Sequence, residues 1–170
     1  MYQVGQQVVY GIHGICLILD VEVKTIDRQK VEYFVLEPVN QPGTRYYIPV
    51  NNPATMAKLS PLLSKNELDQ LFENLHSYDE VWITDENHRK LMYRTLINST
   101  DRAKLISMVR ALHIHKQMQA DLGKKFHQCD ENFLRDAEKL LNAEVSAVLQ
   151  VSSKEATQYI LDHINEKPQE

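Results

Sequence analysis

Residues 17–24 read Leu-Ile-Leu-Asp-Val-Glu-Val-Lys, and the first half of the fold is decided there. Leu17, Leu19, Val21 and Val23 alternate with Ile18, Asp20, Glu22 and Lys24. A period of two puts an apolar row on one face of a strand and a mostly charged row on the other, as in a half-buried antiparallel strand. Outward from it lie further short β-rich runs at 8–10, 31–36 and 45–48, separated by Gly11, Gly14, the polar Asp27-Arg28-Gln29 and the turn signal Pro42-Gly43. Four of the five glycines fall at or before position 43. Glycine gathered among short strands fits the tight turns of a small barrel or a strongly bent sheet.

Past Pro61 the period becomes helical. Ser64-Lys65-Asn66-Glu67 has the spacing of a capping box, and Leu68, Leu71, Phe72 and Leu75 follow at i, i+3, i+4 and i+7. Further helices are expected at about 85–98 and 100–122, the latter with a buried stripe of Leu105, Met108, Val109 and Leu112 and a stop at Gly123. A fourth begins at Asp130 and keeps an apolar stripe through Phe133, Leu134, Ala137, Leu140, Leu141, Val145, Val148 and Leu149. A second capping-box pattern, Ser152 to Glu155, opens a short last helix through Tyr159, Ile160 and Ile164, and the Pro168-Gln169-Glu170 tail is expected to fray. The fold class is therefore α+β, with a β module over 1–60, a connecting helix and linker over 61–84, and an all-α domain over 85–170.

The chain has 170 residues, enough to bury a core without covalent staples. Its two cysteines, Cys16 and Cys129, match no paired metal or redox spacing, which favours free thiols in a reducing compartment. The N-terminus lacks a charged region followed by a long apolar run, and no window approaches a membrane span. A cytoplasmic protein, with no membrane partner, is the expectation.

Charge is unevenly distributed. The formal net charge is −4, yet residues 88–125 carry nine basic side chains against Asp101 and Asp121, an excess of +7. Residues 77–87 carry Asp79, Glu80, Asp85 and Glu86 alone, and 126–170 carries four basic against nine acidic residues. A local excess of that size attracts phosphate whatever the total, although lysine and arginine also decorate solvated helix faces.

Catalytic spacing is missing. Gly11-Ile12-His13-Gly14 lacks the remaining glycines and following helix of a dinucleotide loop, and no phosphate-binding, nucleophile-elbow or paired-cysteine motif occurs. His113-Ile114-His115, with His127 and Cys129 downstream, is the best metal candidate. On a helix, however, i and i+2 point about 200° apart. His13 and Cys16 would need an orienting third group to act as base and nucleophile. The expectation is no enzyme, no cofactor and no metal, with Cys16 a buried strand residue.

The run Val4-Gly5-Gln6-Gln7-Val8-Val9-Tyr10-Gly11-Ile12-His13-Gly14 resembles the opening of the CarD/CdnL family of bacterial transcription regulators, a module also found in transcription-repair coupling factors. The resemblance continues through Glu22 to Ile26, Glu32 to Leu36, Ile48-Pro49-Val50, Met108 to Leu112 and Ala137 to Leu141. It implies an N-terminal SH3/Tudor-like β-barrel that binds the RNA polymerase β subunit, and C-terminal helices that hold promoter DNA and stabilise the open complex. Carried over residue by residue, it implies polymerase contacts at Lys24, Arg45 and Tyr47. For DNA it implies Arg89 and Lys90, with Arg94 a turn further on and Arg110 on the next helix, and Trp82 as a wedge at the minor groove.

Three departures stand beside it. Aligned on Met108 to Leu112, the wedge position falls near Glu86 rather than Trp82, so Trp82 is either a wedge or packed with Val81 and Ile83 at the domain junction. The fourth helix carries Asp130, Glu131 and Asp136 where relatives are often basic. Gly11 replaces the usual proline. The first two favour the alternative function, a polymerase-binding adaptor whose helical domain holds another protein.

Overall fold

In the computed structural model the stretch 17–24 lies within a twelve-residue strand. The structure describes residues 2–78 and 82–165. Strands β1 (Gln7–Tyr10), β2 (Ile15–Ile26), β3 (Gln29–Pro38), β4 (Tyr46–Pro49) and β5 (Leu59–Pro61) form one antiparallel sheet in the order β4-β3-β2-β1-β5. With the helices that follow, the chain is α+β.

The alternation in β2 does not run in one phase. Ile18 pairs with Leu36 and Asp20 with Val35, so Leu19 is the extra residue of a β-bulge. Before the bulge the core face is Cys16 and Ile18, both fully buried, rather than the expected Leu17 and Leu19. After it, Val21 comes opposite the buried Phe34, and the odd positions face the core side. One inserted residue inverts every later side chain, which a single-period reading cannot show. Ile26 pairs with Gln29, leaving Asp27 and Arg28 as a two-residue turn with φ of 49° and 66°. That pair of left-handed residues matches the twist of the hairpin, at a cost of about 1 kcal/mol for arginine in that region.

Gly11 opens a 3-10 turn over Gly11–His13. Its φ is +44°, and its N–H donates to the Lys58 carbonyl at 3.0 Å. Proline could adopt neither, so the substitution belongs to a differently built turn. The core of this first unit is Val8, Cys16, Ile18, Phe34, Leu36, Ile48 and Leu59. Missed from sequence were β5 and the single turn α1 (Pro53–Met56), which Asn52 caps by accepting from the N–H groups of Ala54 and Thr55.

The remaining helices are α2 (Lys65–Glu73), α3 (Glu86–Ile97), α4 (Arg102–Asp121), α5 (Gln128–Leu149) and α6 (Ser153–Asn165). Both capping boxes form: Glu67 N–H donates to Ser64 Oγ while Ser64 N–H donates to Glu67 Oε2, and Ser152 and Glu155 repeat the pattern. Contacts divide the chain into Met1–Leu62 with Asn98–Thr100, and Leu63–Ile97 with Asp101–Glu170. Helix α2, within the expected connecting segment 61–84, belongs to the second of these units. Leu68, Leu71, Phe72 and Leu75 lie in the same buried cluster as Tyr93, Met108, Leu112 and Val145. An amphipathic stripe of that length is stable only where it is buried, so α2 joins the helical core. The readings made for Val81 and for the terminal tail lie outside the described residues. Among the described residues no helix is long and apolar enough to cross a membrane.

Candidate functional site

The face of β2, β3 and β4 turned away from the core carries Lys24, Glu22, Tyr33 and Tyr47. Register sets Glu22 opposite Tyr33, Tyr33 opposite Pro49, and Val35 opposite Tyr47. Lys24 Nζ reaches across to 3.3 Å from the Tyr47 ring centroid and 6.0 Å from that of Tyr33. Its other neighbour is Glu22 Oε2 at 3.7 Å. A cation on an exposed aromatic face is worth about 0.5–1 kcal/mol, which holds the ammonium in place without burying it. Tyr47 is exposed, and Arg45, also exposed, immediately precedes β4. The fold therefore joins Lys24 and Tyr47 directly.

At the edge of this unit's core, His13 lies 4.3 Å from the Tyr46 ring and is stacked on Tyr10 at 5.2 Å. Burial, reinforced by Lys58, pushes its pKa below the ordinary histidine range. A neutral imidazole is then the folded form, and the unfolded chain binds the proton more readily. The stability this confers is present above the unfolded pKa of about 6.5 and is lost as pH falls through the depressed value. Urea titrations at about pH 5 and pH 7.5 should show a smaller loss on acidification for His13→Phe than for the native chain; equal losses would remove His13 as a source. The Cys16 thiol, in the core of the same unit, is pushed up to about 11 by burial. Its thiol donates to the Gly14 carbonyl at 3.7 Å, consistent with a packed strand residue.

The helical unit places the expected DNA residues very differently from one another. Arg89 is 4% exposed. Its Nε and Nη2 donate to the two carboxylate oxygens of Asp130, each at 2.9 Å, while Nη1 donates to the carbonyls of Ile83 at 2.8 Å and Thr84 at 3.3 Å. These bonds favour the charged guanidinium and use four of its five donors. Arg89 ties α3 to α5 from within, where the sequence expectation has it meeting phosphate. Lys90 is ion-paired with Glu86 at 2.5 Å, Arg94 is exposed one turn on, and Arg110 is half-buried on α4.

Trp82 packs against the helical core. The His115 ring stacks on it with centroids 3.5 Å apart and planes 19° from parallel, and Arg89 Cζ lies 4.4 Å from the indole centroid. The indole thus already stacks on groups of its own unit, whereas a wedge needs a bare face to lay against a base step. His113 turns elsewhere, with Nε2 at 2.6 Å from Glu138 Oε1. The two histidines diverge as helix geometry requires. Among the described residues no group of three or more His, Cys, Asp and Glu side chains gathers as metal ligands do.

The basic block is largely neutralised within the unit. Among pairs between described residues, Arg89, Lys90, Arg102, Lys104 and Lys116 sit in ion pairs, and three of those pairs reach Asp130, Glu144 and Glu131 of α5. Glu144 is 5% exposed. It accepts from Arg102 Nε at 3.0 Å, Arg102 Nη2 at 3.1 Å and the Leu63 N–H at 3.1 Å. Asp130, one of the acids that stand where relatives are often basic, and Glu144 are thus partners of the basic helices.

Residues 2–60 match the family model described as CarD-like/TRCF RID domain. No curated protein matches the chain.

Proposed function

We propose, from the premise that residues 2–60 form a CarD-like/TRCF RID domain, a transcription regulator that docks on the RNA polymerase β subunit through its β unit and on promoter DNA through its helices. The family match supports the polymerase-interacting role at family level, and it is the single observation that carries the reading. The bulged five-stranded sheet is read as SH3/Tudor-like. Lys24, Tyr47 and Arg45 form the docking face, a basic and aromatic ledge beside the edge strand β4, where a partner strand can add its own hydrogen bonds. Binding there raises the effective concentration of a weak DNA surface at the promoter. Arg94 and Arg110 are the phosphate contacts of that surface, and Arg89 and Trp82 support it from within. Together they stabilise the open complex.

The test has two arms. Lys24→Glu combined with Arg45→Glu should abolish binding to the isolated polymerase β subunit, and unchanged binding would remove this face from the proposal. On an upstream-fork promoter fragment, affinity should fall with salt, and Arg94→Ala with Arg110→Ala should make the log–log slope shallower by about two. A second reading, in which the helical unit holds a protein, draws support from the five neutralised cations of the basic block. A signal indifferent to salt and to both arginines would select it.

A further inference from the structure

The C-terminal half of α4 is amphipathic in the wrong sense for its place in the chain. Its N-terminal half is buried almost all round, at Leu105 to Val109, Ala111 and Leu112. Beyond Leu112 the histidines turn onto protein partners, Glu138 and Trp82, while the large apolar side chains face out. Ile114 is 40% exposed, Met118 52% and Leu122 64%. Spaced four apart, they form a ridge about 12 Å long on one helical face. Contiguous apolar exposure of this kind marks an interaction surface.

The charges around the ridge say what covers it. Arg110 stands one turn before Ile114, and Lys124 and Lys125 follow the end of the helix. Asp121, the one acid on this half of α4, is held by Gln117 Nε2 at 2.7 Å. A second copy laid antiparallel on the ridge would bring Lys124 and Lys125 of one chain against Arg110 of the other, like charge against like. Duplex DNA would satisfy the cations and leave three aliphatic side chains without a partner. An amphipathic helix with an apolar stripe and acidic flanks satisfies both.

We infer that Ile114, Met118 and Leu122 form a docking ridge for an acidic amphipathic helix of a partner protein, selected by Arg110, Lys124 and Lys125 at its ends. The inference rests on the protein-partner reading of the helical unit, in which Arg110 meets a carboxylate instead of a phosphate, and makes no use of the Lys24 face.

The five methionines make the test direct. In the full chain with methyl-labelled methionine and isoleucine, Met108 is a buried control and Met92 an exposed control on α3. The probe is a synthetic acidic amphipathic peptide, with leucine on one face and glutamate on the other, compared with its lysine counterpart and with promoter duplex. The acidic peptide should shift the Met118 and Ile114 methyls, and Met118→Glu should weaken its binding roughly tenfold or more while leaving the fold intact. Shifts at Met92 that spare Met118 and Ile114 overturn the ridge and leave the protein-partner reading standing. Shifts at the ridge with duplex but not peptide overturn both. Equal response to the basic peptide, response to dilution alone, or no response to any probe overturns the ridge.

Discussion

Replacing Arg89 with alanine is expected to destabilise the helical unit by roughly 3–5 kcal/mol, because it strands the buried Asp130 carboxylate and the carbonyls of Ile83 and Thr84. For a unit of about a hundred residues that is a fall in Tm of roughly 12 °C or more. Thermal and urea transitions of the full chain, followed by circular dichroism and by Trp82 fluorescence, measure it. Arg94→Ala, an exposed position, should stay within about 0.5 kcal/mol. The contrast separates an internal tie from a phosphate contact: a phosphate contact would lose DNA affinity at unchanged stability. Pairing Arg89→Met with Asp130→Leu should recover most of the loss, since removing both charges leaves neither to be buried alone.

Glu144→Ala is the second large effect, also roughly 3–5 kcal/mol. One carboxylate, 5% exposed, receives two Arg102 donors and the Leu63 N–H just ahead of α2, so its loss removes the ion pair with Arg102 and the acceptor of a backbone donor together. Glu144→Gln keeps an acceptor for Leu63 and should lose less. Equal losses for alanine and glutamine would place the whole effect in the charge. A loss below about 1 kcal/mol for alanine would show that water or another group replaces the carboxylate.

Much of this was readable in the sequence. The capping boxes, the Gly123 stop and the helical stripes are local signals, and each corresponds to an observed element. The bulge at Leu19 was not legible, because an inserted residue in an apolar run leaves no mark on composition. The ion pairs were half legible. Asp130 and Glu144 fall in phase with Leu134, Ala137, Leu141 and Val145, and Arg89 falls in phase with Tyr93, Leu96 and Ile97. A charge in phase with a buried stripe is itself buried and must be paired. Tallying charge by segment hid that phase, and so a block of cations looked like a surface. For the β unit, Lys24 and Tyr47 lie on strands that are not neighbours, and only the fold brings them within 3.3 Å.

The pairing of α3 and α4 with α5 also fixes an order of events during synthesis. Arg89 and Arg102 leave the ribosome well before Asp130 and Glu144, their partners 41 and 42 residues later. Until α5 has emerged, Arg89 lacks the Asp130 carboxylate that its burial requires and Arg102 lacks Glu144, so the closed packing of this half is expected to wait for α5. A nascent chain halted between α4 and α5 therefore exposes the apolar faces of three finished helices. Premature termination there is expected to yield an aggregation-prone product rather than a shorter working domain.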